Sequence, residues 1–292
     1  MANKVYDIIT DRIMEQLNKG VIPWKKPWSA GGMPRNGISQ NEYNGINPML
    51  LSCTGFYNPN WFSFNQARQA GGSVKHDQKG TPIIFWKKSQ YATPDGEQAP
   101  QEGEKKKSNS YLILRYYTVF NYEQCENMPE KYAVKHQEPK NSESCINATR
   151  IMKEYAEREK MPILHHEQRA YYSPALDIVN MPAYDSFKDA ISYYKTGFHE
   201  LIHSTGHEKR LNRLDKHACF GNEVYSKEEL TAEMGASFLS GHAEIYTEDQ
   251  HQESASYIAS WLRVLHDDKT MVIKAAAAAQ RASDYILKKE VN

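Results

Sequence analysis

The chain has 292 residues, with 36 Lys+Arg, 36 Asp+Glu, 40% hydrophobic and 25% charged residues. This composition is typical of a globular protein and excludes a disordered or fibrous chain, while a length near 300 residues predicts two domains. No apolar run approaches the ~18–20 residues of a membrane span, and the four cysteines form no C-x-x-C pair, so we expect a cytoplasmic protein without membrane contact.

The net charge of zero hides an uneven distribution along the chain. Residues 1–91 hold eleven Lys/Arg and five Asp/Glu, a net charge of +6, so residues 92–292 carry −6. Such an asymmetry predicts two different tasks on one chain, and a basic half is typical of a surface that binds phosphate groups.

The N-terminal half reads as a small α+β domain. An apolar residue every fourth position predicts an amphipathic helix over 4–18, and Gly20 is a suitable stop for it. Further along we expect short helices over 48–52 and 63–70, the second capped by Ser63, and strands over 81–87 and 111–120. Residues 92–110 between the strands are polar and predict a flexible hairpin loop.

Basic and aromatic residues are interleaved in residues 19–91. Single-stranded nucleic acid is bound in this way, because cations follow the phosphates while aromatic rings stack on unpaired bases. The opposing interpretation is that many of these aromatic residues form the core of a small domain. The candidate DNA-binding residues are Trp24, Lys25, Lys26, Trp28, Arg35, Tyr43, Trp61 and Lys87, in a wider set that includes Phe64, Trp86 and Lys88.

The C-terminal half is mainly helical. Residues 126–147 are polar and predict an interdomain linker. Beyond it we expect helices over 150–160, 186–206, 226–239, 257–266 and 270–288, with two short strands over 171–173 and 177–179. The sequence therefore predicts an α+β protein of two domains, the first over 1–125 and the second over 148–292.

The strongest motif is H-E-x-x-H at residues 199–203. Residues four apart share one face of a helix, so His199 and His203 can both reach one Zn²⁺. Glu200 then lies beside the metal as the general base of peptide hydrolysis. Apolar flanks support this interpretation, because buried histidines without partners are unfavourable.

The third metal ligand has two candidate sources. The extended pattern H-E-x-x-H-x-x-G-x-x-H is disfavoured, because Gly206 fits but Lys209 stands at the last histidine position. A glutamate from the following helix is favoured: Glu229 as ligand, Glu233 one turn later as hydrogen-bond acceptor for a ligating histidine, and Glu228 pointing elsewhere. Two imidazoles and one carboxylate leave one position open, which is typical of catalytic zinc.

Some residues near the motif have weaker indications. His207 is expected to be a polar residue at the helix end. The tyrosines offer hydroxyl groups that can stabilise an oxyanion, although packing is the usual role of such residues; the candidates are Tyr171, Tyr172 and Tyr225.

Two motifs and several shorter segments of the chain are together specific. They are P-W-x-x-P-W within residues 20–28, H-E-L-x-H-x-T-G-H at residues 199–207, and residues 34–36, 43–47, 61–67, 80–87, 119–121, 182, 210–213, 228–233 and 257–262. In these residues the chain resembles the ArdC-type antirestriction proteins of conjugative plasmids and mobile elements, which are related to the N-terminal part of TraC-type plasmid primases. The resemblance covers nearly the whole chain, and one departure is Ser204, where the family often has Trp.

The resemblance implies an N-terminal domain that binds single-stranded DNA and a C-terminal zincin-like metallopeptidase domain. It also implies protection of incoming DNA from restriction, with host restriction endonucleases or another protein substrate as further partners. Two rival hypotheses stay open. In one, the protein is a zinc metallopeptidase, a toxin or processing factor, whose N-terminal domain recognises protein; in the other, the zinc only stabilises a DNA-binding protein.

Overall fold

A computed structural model describes residues 2–25, 31–90, 110–134, 141–214, 223–245 and 254–289. The predicted loop 92–110 therefore lies outside the described residues except for Ser110, which begins a strand. The elements of the N-terminal domain are α1 (Ala2–Asn18), β1 (Arg35–Asn36), α2 (Asn47–Ser52), β2 (Asn60–Ser63), α3 (Phe64–Gln69), β3 (Ser73–Val74), β4 (Thr81–Gln90), β5 (Ser110–Asn121) and β6 (Cys125–Glu126). The predicted helices over 4–18, 48–52 and 63–70 are confirmed.

A four-stranded sheet with the strand order β1-β2-β5-β4 forms the centre of this domain. Strands β4 and β5 are its longest pair, antiparallel from Thr81 opposite Val119 to Gln90 opposite Ser110. Both strands are rich in β-branched and aromatic residues, which favour a pleated, half-buried surface. The predicted strands over 81–87 and 111–120 are therefore confirmed, and both are longer than expected.

The described part of the C-terminal domain contains five α-helices and a small three-stranded sheet. The elements are α4 (Asn141–Glu159), β7 (Ile163–Leu164), β8 (Tyr171–Ser173), β9 (Ile178–Asn180), α5 (Ala190–Thr205), α6 (Glu223–His242), α7 (Ala255–Asp267) and α8 (Met271–Leu287). The strand order of the sheet is β7-β9-β8. Helix α4 begins inside the predicted linker 126–147, nine residues before the expected start. Its polar first turns are held by tertiary contacts, because Ser144 donates a hydrogen bond to the Glu244 carbonyl at 2.6 Å and Ala148 is fully buried.

The two domains share one apolar core. The buried face of α1 packs together with residues of α6, α7 and α8, among them Phe238, Trp261, Leu265 and Val272. Helix α1 contributes four residues at helical spacing to the shared core, and each is at most 7% exposed: Val5, Ile9, Ile13 and Leu17. Burying a side chain of this kind contributes about 1.5–3 kcal/mol. The first helix of the chain is thus fastened to the last three.

None of the described helices combines the length and the apolar character that crossing a membrane requires.

Candidate metal centre

Helix α5 carries the two histidines of the motif. Its first turn is capped by Asp189, whose carboxylate accepts a hydrogen bond from the Ser192 N–H at 2.6 Å. His199 and His203 lie four residues apart and face α6, with 24% and 14% of their side chains exposed. The apolar residues beside them are fully buried and fix the rotation of the helix: Phe198, Leu201 and Ile202.

The potential ligand atoms of three residues converge at this point. The Nε2 atoms of His199 and His203 are 3.1 Å apart, and the carboxylate oxygens of Glu229 lie 3.6 Å and 3.5 Å from them. Ligands of a tetrahedral ion with bonds of about 2.0–2.1 Å lie about 3.3 Å from one another. The three side chains therefore fit one divalent ion, and their assignment as its ligands stays a prediction.

Helix α6 reaches the histidines because small residues line its contact with α5. A Cβ atom at Gly235 would lie 2.6 Å from the Cδ1 atom of Ile202. Ala232 is fully buried and Ala236 nearly so. The close approach of these helices places Glu229 within reach of both imidazoles.

Glu228 corrects one of the sequence-based expectations. It was expected to point elsewhere, but its Oε1 atom lies 3.0 Å from Nδ1 of His203. Arg213 holds the same carboxylate with two hydrogen bonds, 2.7 Å from Nε and 2.9 Å from Nη2. Adjacent residues of α6 thus serve opposite sides of one imidazole, since Glu228 faces Nδ1 and Glu229 faces Nε2. The sequence signal for this contact was the arginine that ends the R-L-N-R segment at 210–213, together with the acidic pair Glu228-Glu229.

Glu233 was predicted to accept a hydrogen bond from a ligating histidine. Its contacts include the hydroxyl of Tyr257, which donates to Oε1 at 2.9 Å, and the ammonium group of Lys25 at 3.9 Å. Its charge is also among those that raise the pKa of His199. The carboxylate partner of His203 is Glu228, and the hydrogen-bond role of Glu233 toward His199 stays a prediction.

Glu200 lies beside the two histidines in an environment that favours its protonated form. It is 8% exposed, and this burial raises the pKa of its carboxyl group against the opposing effect of the neighbouring imidazoles. The backbone of Tyr172 also lowers the pKa of this carboxyl group, but less than burial raises it. A carboxyl group with a raised pKa is suited to proton transfer near neutral pH.

The remaining electrostatics of the centre follow from its carboxylates. Burial lowers the pKa of His199, but the Glu229 carboxylate 3.6 Å away and the surrounding negative charge raise it overall. Burial raises the pKa of Glu229, but the two histidines bring it below its ordinary value. The site is thus rich in negative charge and ready to accept a cation.

A cleft of about 520 Å³ opens at the centre. Residues of β8, α5 and α6 line it, including the three tyrosines considered as oxyanion donors. Two of these hydroxyls are engaged elsewhere: Tyr171 donates to Glu167 at 3.1 Å and Tyr172 to Asp177 at 2.8 Å. The Tyr225 hydroxyl donates to Glu229. Packing and positioning therefore describe these tyrosines better than oxyanion binding.

A buried arginine closes the far end of α5. The side chain of Arg210 is 1% exposed and forms an ion pair with Asp177. It also donates to the Ser204 carbonyl at 2.7 Å, at the end of the motif helix. His207 follows in the turn, and its Nδ1 accepts a hydrogen bond from the Lys209 N–H at 3.2 Å. The expected polar role of His207 at the helix end is confirmed.

The candidate DNA-binding aromatics are largely core residues. Trp24 and Trp61 are each 2% exposed and Tyr43 is 9% exposed, so the prediction that they stack on bases is wrong. Composition cannot separate core aromatics from exposed ones, whereas packing does. Of the predicted cations, Lys87 is exposed, Arg35 is half-buried and Lys25 lies 4.4 Å from the ring centre of Tyr257. The remaining two, Lys26 and Trp28, lie outside the described residues.

The N-terminal and C-terminal parts of the chain match two different protein families. Residues 3–120 match the family model of the N-terminal domain of the anti-restriction factor ArdC, and residues 151–278 match a zincin-like metallopeptidase model. Two Escherichia coli proteins named DNA primase TraC are 34% and 32% identical over 97% of this chain. The chain spans only 27% and 20% of their length. A Sinorhizobium fredii protein, y4eC, is 29% identical over 97% of the chain and 91% of its own length.

Two crystal structures of the antirestriction protein ArdC from plasmid R388 have the same fold. The metal-free form superimposes with a TM-score of 0.76 and covers 97% of both chains, and the Mn(II)-bound form gives 0.72 over 98% of both. The sequence identity is 32%. Since both domain models and a full-length relative match, the chain belongs to the ArdC antirestriction family, with a zincin-like C-terminal domain.

Proposed function

We propose that the protein is an antirestriction protein of a mobile element that acts in the cytoplasm during conjugation. It binds single-stranded DNA through its N-terminal domain and carries a gluzincin-like divalent-metal centre in its C-terminal domain. The observation that carries the proposal is the convergence of His199, His203 and Glu229 beside Glu200, with separations of 3.1–3.6 Å between their ligand atoms. Zinc is the ion we expect; the R388 relative has a Mn(II)-bound form.

The residues of the centre have distinct roles in the proposed peptide hydrolysis. A divalent ion bound there supplies a Lewis acid for a substrate carbonyl and lowers the pKa of water. Glu200 takes the proton from the attacking water and returns it to the leaving amine, a role that its raised pKa supports. Arg213 and Glu228 fix the ring of His203 and set which nitrogen carries the proton.

The DNA-binding part of the proposal rests on family and charge. The N-terminal domain matches the ArdC model over residues 3–120, and residues 1–91 carry a net charge of +6. Cations on such a surface bind phosphates in a salt-dependent manner. Because the chain belongs to the antirestriction family, the function we expect from DNA binding is protection of incoming DNA from host restriction endonucleases. The expected substrate of the cleft in the C-terminal domain is a protein partner.

The metal and the chemistry are tested together with two variants. Wild type is expected to bind about one Zn²⁺ or Mn²⁺ per chain, and Glu200→Gln is expected to keep the ion while losing hydrolysis of an unfolded substrate such as labelled casein. His199→Ala is expected to lose the ion. If Glu200→Gln matches wild type in hydrolysis and in protection of DNA while His199→Ala unfolds the domain, the metal is only structural and the catalytic proposal fails.

Antirestriction is tested in cells that restrict unmodified DNA. The wild-type protein is expected to raise the number of transconjugants obtained with an unmodified plasmid, and not with a plasmid already modified by the host. Electrophoretic mobility shift of the full chain with a 30-nucleotide oligonucleotide at low salt tests the DNA-binding part. If the chain binds neither single- nor double-stranded DNA, the proposed DNA binding is wrong and an N-terminal domain that recognises protein is favoured.

A further inference from the structure

The outer part of the β4–β5 hairpin exposes aromatic and aliphatic side chains that the sheet does not cover. The exposed fractions are 39% for Phe85, 52% for Trp86, 63% for Leu112 and 48% for Tyr116. Leu114 in the same stretch is 2% exposed and packs in the core shared with α1, so the exposed side chains stand beside a buried position. Exposed apolar side chains grouped in this way indicate an interaction site.

The register of the two strands places these side chains on defined faces. Trp86 lies opposite Leu114 and Lys88 opposite Leu112, so Trp86 and Lys88 share a face with Tyr116, which lies opposite Ile84. The diagonal spacing between Trp86 and Tyr116 is about 7–8 Å between backbones, within reach of large rings. This face of the ribbon therefore holds two exposed rings and a cation next to the buried side chains of Leu114 and Ile84.

The second face of the ribbon repeats this combination. Phe85 lies opposite Arg115 and Lys87 lies opposite Ile113. Phe85 is in edge contact with Tyr117, with ring centres 5.3 Å apart. Both faces thus pair an exposed aromatic ring with an exposed cation.

The charged side chains of the two strands are all positive. Strands β4 and β5 contain three basic residues in their outer parts, Lys87, Lys88 and Arg115, and no Asp or Glu. All three are exposed, and within the described ranges no carboxylate forms an ion pair with them. Cations without internal partners beside exposed rings are complementary to a strand that offers both phosphates and unstacked bases.

We propose that the outer β4–β5 hairpin, residues 85–88 and 112–116, is the surface on which this protein binds single-stranded DNA. Trp86 and Tyr116 stack on unpaired bases, while Lys88, and Lys87 and Arg115 from the other face, contact phosphates. The inference rests on the proposed DNA-binding function and replaces the buried Trp24, Tyr43 and Trp61 as the stacking residues. A duplex hides the faces of its bases, so the two rings select single strands.

The test uses the full chain and a fluorescein-labelled 30-nucleotide oligo-dT, with binding followed by fluorescence anisotropy. Trp86→Ala is expected to weaken binding by roughly 5- to 100-fold, the loss of one stacked base, with an unchanged dependence on salt. Lys88→Gln and Arg115→Gln are each expected to lower the slope of log K against log[salt] by about 0.7, the loss of one phosphate contact. These positions are exposed, so unchanged circular dichroism is expected.

Matched controls come from exposed residues outside the hairpin. Tyr184→Ala removes a ring that is 48% exposed in the C-terminal domain, and Lys153→Gln removes an exposed cation on α4; both are expected to bind like wild type. If wild type binds but Trp86→Ala/Tyr116→Ala binds within about twofold of it, the hairpin inference is overturned and the DNA-binding function stands. If wild type does not bind at low salt, both fail.

Two other occupants of the hairpin give distinct results. If the hairpin variants lose binding to a duplex of the same length but still bind oligo-dT, the inference is overturned in favour of groove binding. Sedimentation velocity tests whether a second copy of the chain covers the hairpin. If wild type is a dimer and Trp86→Ala is a monomer that still binds DNA, the inference is also overturned. Loss of oligo-dT binding by a chain of unchanged mass supports the proposal.

Discussion

His203 is held at both of its ring nitrogens. Its Nε2 faces His199 and Glu229, while its Nδ1 lies 3.0 Å from the Glu228 carboxylate, which Arg213 holds in turn. A carboxylate behind a ligating imidazole fixes the ring orientation and increases its basicity. The arginine neutralises the buried carboxylate, so burial raises the pKa of Glu228 less than its hydrogen bonds with Arg213 and His203 lower it.

Glu228→Gln is therefore expected to weaken metal binding by about 10- to 100-fold, because the amide keeps the size of the side chain but removes its charge. Competition with a fluorescent chelator measures the affinity. Glu154→Gln, on the exposed side of α4, is the control and is expected to bind metal like wild type. Equal affinities in Glu228→Gln and Glu154→Gln would show that the carboxylate behind His203 has no influence on the ion.

The negative charge of Asp177 is expected to contribute to the free energy of unfolding. Burial raises the pKa of its carboxyl group, but hydrogen bonds from Arg210 and Tyr172 outweigh this and lower the pKa to about 2. The folded pKa lies below the unfolded value of about 3.9. Its contribution to stability is therefore complete above pH ~4 and is lost as the pH falls toward ~2.

Asp177→Asn tests this charge in metal-free protein. Asn tolerates the backbone φ of +53° at this position, so the change is electrostatic. The variant is expected to lose about 1.5–3 kcal/mol of unfolding free energy at pH 7, with the difference shrinking as the pH falls from 5 to ~2. Urea unfolding at several pH values measures it, with exposed Asp185→Asn as control. A difference that is constant with pH would contradict the assignment.

At the scale of elements, the contact between α5 and α6 decides whether the ligands meet. Gly235 lies against Ile202, one turn of α6 beyond Ala232. Any side chain there pushes the two helices apart. Because the histidines and Glu229 come from different helices, a shift of this contact changes the distances among their ligand atoms.

Gly235→Val is expected to destabilise the protein by about 1–3 kcal/mol through overpacking and to weaken metal binding in the same variant. Thermal unfolding and chelator competition measure the two effects. Ile202→Ala removes the atoms that a new side chain meets, so the double variant is expected to show a favourable coupling of at least about 0.5 kcal/mol. Additive effects of the two changes would mean that the residues do not press on each other.

At the scale of the whole molecule, Trp24 fastens the N-terminal segment to the C-terminal helices. Its ring packs edge-on against Trp261 with ring centres 5.6 Å apart, and its Nε1–H donates to the Tyr257 hydroxyl at 3.4 Å. That hydroxyl donates in turn to Glu233, one turn beyond Glu229 on α6. Trp24, the first tryptophan of the P-W-x-x-P-W motif, is therefore an anchor between the domains, and the shared core couples their stabilities.

Trp24→Ala is expected to cost about 3–5 kcal/mol, since it empties a buried site in that core. Because the core is shared, wild type is expected to unfold in one transition. Tryptophan fluorescence reports mainly on the N-terminal half, which holds four of the five tryptophans, and far-UV circular dichroism reports mainly on the C-terminal half, which holds most of the described helices. The two signals are expected to change together. Phe64→Ala, at an exposed ring, is the control, within about 0.5 kcal/mol of wild type. Two separate transitions in wild type would contradict a shared core.

Local patterns were sufficient for a large part of this protein. The H-E-x-x-H spacing places two imidazoles on one helical face without tertiary information, and the small residues of α6 indicate a close helix contact. Periodicity likewise predicted α1, the β4–β5 pair and most of the later helices, because apolar residues at spacing 3.6 or 2 report which side of an element is buried. Charge counting along the chain found the basic N-terminal half.

What tertiary structure alone decided is which partner each side chain meets. The sequence by itself determined that acidic residues of α6 accompany the histidines, but the crossing of α5 and α6 decided that Glu228 and Arg213 stand behind His203. It determined an aromatic, basic N-terminal half, but packing decided that Trp24 and Trp61 are core while Trp86 is exposed. Periodicity is a local property, whereas burial and pairing depend on residues that are distant in the chain and meet only when it folds.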